Sequence, residues 1–292
     1  MYPVIPGVEI EEQKIRTTDG YLLSVKCAGP AEGQPLLFLH GFPEFWYGWR
    51  KQIGYFATRG YRVVVPDQRG YNDSDKPERV CDYSMVQLAE DVAAMVRQLK
   101  LGDCVLVGHD WGAAAAWQAA IRHPSLFSRL VILNVPHPQV FIRTLLTNPK
   151  QLLKSWYMFF FQLPVLPAWL ASLDGYKQFA NAMRSTANEG SFTDEDLRAY
   201  IDAWQKPRAL DSMINWYRAA FRHPELGGPT DVLVPTLILW GERDRFLEAC
   251  MAAESTRYCR SGWVKYFPQA THWLQHDEPD AVNSEIERFI KG

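Results

Sequence analysis

The stretch DCVLVGHDWGAAAAWQAA at 103–120 runs from a continuous apolar segment into an alanine-rich one through a turn in which Gly108 and Gly112 flank Asp110. A short apolar run without alternation is the mark of a strand covered on both faces. A chain that passes straight from such a strand into a helix builds a parallel sheet with helices packed on it. Small residues at 108 and 112 suit a tight, strained turn that lifts the middle side chain above the sheet's carboxyl edge, a place normally held by serine. Here it is held by aspartate. The same letters also admit a solvated aspartate capping the following helix, since Asp is a good N-cap.

The rest of the chain repeats the alternation. Strand-like stretches fall at 9–17, 21–28, 35–40, 61–66, 103–108, 129–135, 235–240 and 263–267. Residues 84–100 read as a helix that opens on a Ser84/Gln87 capping box and buries Val86, Leu88, Val92, Met95, Val96 and Leu99. The fold class is therefore α/β, a mostly parallel doubly wound sheet. Between 137 and 225 the pattern is helical throughout, punctuated by Pro136, Pro138, Pro149, Pro164, Pro167, Pro207 and Pro224. We expect a core domain of residues 1–136 and 226–292 with an all-helical cap, 137–225, inserted in it. Six aromatics lie within 156–169: Trp156, Tyr157, Phe159, Phe160, Phe161 and Trp169. More than half are expected to fill a helix–helix core, the others to face a pocket below. The tripeptide RHP at 122–124 and again at 222–224 fits two helix ends.

A chain of 292 residues can bury roughly 75% of its unfolded surface. The 31 basic and 33 acidic residues are scattered without a basic track, which gives nucleic-acid binding no support. Cys27, Cys81, Cys104, Cys250 and Cys259 form no CxxC pair, a usage that suggests a reducing compartment. The start, MYPVIPGVEIEEQKI, lacks the basic and apolar regions of a signal peptide. The apolar stretch 156–173 is broken by Gln162, Pro164 and Pro167, so no membrane span is expected. The expected location is cytoplasmic.

Chain order extends the chemistry of Asp110. Hydrolases with this turn place the nucleophile first, then an acid, then a histidine. The strand PTLILW runs into GERDRF, which sets Asp244 just beyond a strand's carboxyl end, with Glu242 as a rival. The strand WVKYF runs into PQATHWLQH, which does the same for His272. Such loops are where open parallel sheets bind ligands. His276, beside Asp277 and Glu278, reads as a surface histidine; an i,i+4 metal pair with His272 has no evident third ligand. In LFLHGFPEFWYGWR the Phe42 N–H can point at a developing oxyanion, with the Trp111 N–H as second donor.

With these residues in order, the chain resembles the α/β-hydrolase superfamily and, within it, the epoxide hydrolases. The resemblance runs from about residue 8 to 291 and rests on HGFPEFWYGWR, PDQRGYNDSDKP, GHDWG, WGERD and THWLQHDEP. Asn72 stands where many relatives have glycine, in a turn that asparagine tolerates. The resemblance implies that Tyr157 (in SWYMFFFQLP) and Tyr217 (in NWYRAAF) are ring-opening tyrosines; as lone residues they would read as packing. It further implies an α/β-hydrolase fold and an ester of Asp110 with a small apolar epoxide. Water activated by His272 and Asp244 would then hydrolyse that ester. Phe42, Trp111, Tyr157 and Tyr217 would line the substrate site. No organic cofactor or metal is implied, and the protein would act as monomer or homodimer. Some relatives carry an N-terminal membrane anchor that this chain is expected to lack. The alternatives are a haloalkane or haloacid dehalogenase using the same aspartate, or a non-catalytic ligand receptor on this fold. Haloalkane dehalogenases usually have asparagine where Phe42 stands, and a serine esterase cannot use Asp110.

Overall fold

The computed structural model describes residues 4–225 and 227–292, so residues 1–3 and the expected boundary residue Leu226 lie outside the described residues. Among the described residues eight strands form one sheet: β1 (Ile10–Arg16), β2 (Leu22–Ala28), β3 (Pro35–Leu39), β4 (Arg62–Pro66), β5 (Cys104–His109), β6 (Phe127–Leu133), β7 (Thr236–Gly241) and β8 (Gly262–Phe267). Their order across the sheet is β1-β2-β4-β3-β5-β6-β7-β8. Only β2 runs antiparallel to its neighbours; every other pairing from β4 onward is parallel. The reason is visible in the side chains. In β3, β5 and β7 every residue is buried, as expected of strands covered on both faces, whereas the edge strands β1 and β8 alternate.

The core helices are α1 (Arg50–Ala57), α2 (Met85–Gln98) and α3 (Trp111–Arg122). Seven more lie between β6 and β7: α4 (Pro138–Thr147), α5 (Pro149–Lys154), α6 (Trp156–Phe160), α7 (Leu166–Ser172), α8 (Lys177–Ser185), α9 (Asp194–Trp204) and α10 (Ala209–Arg222). The chain closes with α11 (Cys250–Ser255), α12 (Leu274–Asp277) and α13 (Pro279–Lys291). Helices α2 and α3 pack together, and so do α1, α12 and α13, giving the sheet its two helical layers. The insertion leaves after β6 and returns at β7, which are hydrogen-bonded neighbours in the sheet. Both RHP tripeptides end helices: α3 and α10 stop at Arg122 and Arg222, and each histidine takes nearly the same dihedrals.

Helices α9 and α10 are among the elements that fasten the insertion to the core. Arg50 pairs with Asp196 at 2.8 Å. The Tyr200 hydroxyl donates to Glu44 at 2.6 Å, and the indole N–H of Trp216 donates to the Arg69 carbonyl at 2.9 Å. A reciprocal capping box of Thr193 and Asp196 opens α9. By contrast, Ser84 makes no side-chain cap bond at α2, although its carbonyl accepts from the Leu88 N–H at 3.0 Å. A tight turn over Val80–Tyr83 brings the chain into this helix, so the Ser-x-x-Gln spacing permits a box that the approach does not form. Val86, expected in the core, is half-buried. The 156–169 aromatics also depart from expectation. Trp156, Phe159 and Trp169 are exposed and the other three half-buried, because no further helical layer covers the short α6 and α7.

Candidate active site

Asp110 sits between β5 and α3 with φ 50 and ψ −126, a conformation that non-glycine residues hold only under constraint. The constraint comes from packing: a Cβ on Gly112 would strike the Leu39 carbonyl, and one on Gly108 would come within 2.6 Å of Ala113. Asp110 occupies the N-cap position of α3, yet its side chain makes no cap bond. Instead its Oδ1 accepts the Phe42 N–H at 2.7 Å. The capping alternative therefore fails, and the carboxylate turns toward the carboxyl end of the sheet.

His272 meets it there. Its Nε2 lies 3.4 Å from Asp110 Oδ2, and its Nδ1–H donates to Asp244 Oδ2 at 2.8 Å. Asp244 is wholly buried and held on both oxygens. Oδ1 accepts the N–H groups of Phe246 and Leu247 at 2.7 and 2.9 Å, and Oδ2 accepts Asn134 Nδ2 at 2.7 Å. The rival Glu242 is exposed. Burial works against the charge of all three groups, but their mutual pairing outweighs it. Both carboxyls are held below their ordinary range, and the imidazole is raised to about 10 by Asp244 and Asp110.

The helical insertion covers this triad with aromatic rings. Tyr157 on α6 and Tyr217 on α10 stand edge to face, their centroids 5.9 Å apart. Tyr217 also packs on Phe42 at 5.2 Å, Trp111 at 4.8 Å and Phe161 at 4.8 Å. Tyr157 contacts Phe246, which in turn lies against the His272 ring at 5.1 Å. Burial first, and the Asp110 charge second, push both phenols upward, so they keep their protons through the neutral range. Trp111 opens α3, where the first amides have no partner inside the helix. The seven residues expected at the site are thus brought together around Asp110.

Three more residues belong to the arrangement. Asn134, at φ 52 just past β6, accepts the Gly241 N–H and donates to Asp244. His109 precedes Asp110 and donates from Nε2 to the His272 carbonyl at 2.8 Å; its Nδ1 faces Gln275 at 3.1 Å and Glu44 at 3.4 Å. Glu44 is buried and also accepts from His276 Nε2 at 2.7 Å. His276 is therefore no surface histidine. Burial holds its imidazole down at about 4, hence neutral. Asp277, whose charge suggested the surface, instead accepts from the Thr271 N–H and hydroxyl. Because His272 and His276 face different carboxylates, they do not form an i,i+4 pair. A turn residue following a strand was the available signal for Asn134; nothing local marks Glu44. Asn72 takes φ 39 and donates to Asp67, which explains why asparagine serves where glycine is usual.

The pattern of the alpha/beta hydrolase fold matches residues 34–279. The chain is 39% identical over 274 residues to the AB hydrolase superfamily protein YfhM of Bacillus subtilis, which covers 94% of this chain and 96% of that protein. It is 42% identical over 271 residues to Epoxide hydrolase 3 of Xenopus tropicalis, covering 91% of this chain and 73% of the relative. The crystal structure of a Bacillus megaterium epoxide hydrolase in complex with an inhibitor superposes with a TM-score of 0.87 at 30% identity, over 96% of this chain and 100% of that one. The chain belongs to the α/β-hydrolase fold family and, within it, to the epoxide hydrolases.

Proposed function

We propose that the chain hydrolyses small apolar epoxides to vicinal diols through a covalent ester on Asp110. The observation that carries this reading is the position of His272 between Asp110 at 3.4 Å and Asp244 at 2.8 Å. A strained ring offers a saturated carbon, which a carboxylate attacks to give a stable ester where a serine would have no carbonyl to add to. An Asp110 oxygen bonds the epoxide carbon, the C–O bond breaks, and the alkoxide takes a proton from Tyr157 or Tyr217. As the ester forms, negative charge moves from Asp110 to the oxygen the phenols grip, so their hydrogen bonds strengthen along the reaction.

Ester formation also removes one of the two carboxylates that raise His272. The imidazole then gives up its proton more readily and, once neutral, serves as base. It takes a proton from water, whose oxygen attacks the Asp110 carbonyl carbon. Asp244 orients the ring and stabilises its cation. The tetrahedral oxyanion rests against the Phe42 and Trp111 N–H groups. Collapse expels the diol oxygen, which takes the proton held by His272, and leaves Asp110 as the acid. That proton passes to the neutral His272 and restores the resting pair, while the tyrosine regains from solvent the equivalent of the proton His272 first released.

In this reading residues 137–225 form the lid and residues 1–136 with 226–292 the core, working as monomer or homodimer. A reducing, cytoplasmic setting belongs to the same proposal and is supported by five cysteines, all free. Among the described residues no helix is long and apolar enough to cross a membrane.

The test is His272→Gln. It should still open the ring but fail to hydrolyse the ester, so an adduct accumulates on Asp110 and is visible by intact mass and peptide mapping. An epoxide adds its whole mass; a haloalkane adds its mass less hydrogen halide. An adduct on another residue refutes the mechanism, and one formed only from haloalkanes assigns the dehalogenase reaction instead.

A further inference from the structure

Helix α6 is apolar on every side. Met158 is buried and Tyr157 points to the site, while Trp156 and Phe159 are 65% and 47% exposed. A helix of this kind is normally enclosed by protein or by lipid. Leu152, Trp156, Phe159 and Leu163 follow one another at steps of four, three and four, an outward stripe that continues from α5 through α6. Beside it in the chain, Val165 is 72% and Trp169 of α7 54% exposed. Among the described residues, most of the large apolar side chains that are exposed lie in this half of the insertion.

Its charges are one-sided too. From Trp111 to Leu173 the sequence contains no Asp or Glu, while α4 and α5 carry Arg143, Lys150 and Lys154. Arg143 and Lys154 are paired with Glu254 and Glu248 of the core. Lys150 is exposed and has no ion-pair partner among the described residues. The carboxylates of the insertion begin at Asp174 and lie toward α8–α10. A second copy docked about a twofold axis would set this face against itself. Lys150 would then approach a surface whose nearby carboxylates, Glu248 and Glu254, are already paired with Lys154 and Arg143. A membrane surface with anionic headgroups answers both halves of the pattern: phosphates for the lysine, and the headgroup–acyl boundary for the tryptophans, where such rings concentrate.

We propose that the outer face of α5–α7, with its exposed Trp156 and Trp169 and the unpaired Lys150 beside them, docks in the plane of an anionic lipid surface. The inference does not depend on the reaction proposed for Asp110.

The full chain should float with vesicles of phosphatidylcholine and phosphatidylglycerol, and less with phosphatidylcholine alone, and salt should weaken the binding. Leu153, on α5 beside the stripe, is 74% exposed; Leu153→Glu combined with Val165→Glu should lower vesicle affinity about tenfold or more, and Lys150→Glu about fivefold. An unchanged thermal midpoint shows that the variants fold. A parent chain that does not float overturns the proposal, and so does flotation indifferent to these substitutions. A dimer, detected by light scattering and abolished by the same substitutions without vesicle binding, reassigns the face to a contact between copies.

Discussion

The two sides of the site are built differently. On the sheet side, Asp110, Asp244 and His272 are fixed by hydrogen bonds of 2.7–2.9 Å from backbone amides and from one another. On the insertion side, Tyr157 and Tyr217 are fixed by edge-to-face rings, 4.8–6.0 Å between centroids. Charges that must move protons need short, directed contacts, because an ångström of misplacement costs much of the rate. In the proposed reaction the phenols meet an apolar ring of variable shape, which suits a wall that excludes water and yields to the substrate.

The largest effect expected of this comparison is on the sheet side. Asp110→Ala should lower diol formation by about 10⁴-fold or more, as loss of a nucleophile does elsewhere. It should leave the protein folded, with a cooperative thermal transition, although the carboxylate's contacts with Phe42 and His272 are lost. Near-parental turnover of fresh enzyme would remove Asp110 from the mechanism. On the insertion side, Tyr157→Phe or Tyr217→Phe alone should slow ring opening about tenfold, and the pair about 10²–10⁴-fold. Single-turnover rates that survive the double change would reduce both rings to packing.

The smallest effect is in stability against pH. His272 binds its proton more tightly in the fold, at about 10, than in the unfolded chain at about 6.5. That contribution is complete below pH 6.5 and is lost as pH rises through 10. The lowered Asp110 and Asp244 contribute above the ordinary carboxyl range and lose their effect as pH falls. Denaturant titrations should therefore show the parent losing stability from pH 6.5 to 10 more steeply than His272→Gln. Equal slopes would mean that the triad is not electrostatically coupled.

Much of the sheet side was legible in the sequence. Continuous apolar runs marked the strands, and only their ends moved, by a residue or two, where pairing with neighbours decides. Asp110, Asp244 and His272 were legible because each lies in the turn or loop at a strand's carboxyl end. Glu44 and His276 were not, because their contact joins positions 232 residues apart. On the insertion side, spacing located the helices but could not tell which apolar stripe faces inward. That is decided by what lies across from it, which explains why Trp156, Phe159 and Trp169 were expected inside.

The pairing of β6 with β7 across the insertion also bears on how the molecule assembles. Asn134 and Asp244, joined at that seam, are 110 positions apart in the chain, and His109 and the His272 carbonyl are 163 apart. Contacts of such long sequence separation form slowly, because the intervening chain must surrender its freedom before they are rewarded. Asp110 lies on one side of the seam, Asp244 and His272 on the other. On the proposed mechanism, a nascent or half-folded chain can hold the Asp110 turn but has no means of releasing an ester. Turnover would then report that the pairing of β6 with β7 has closed.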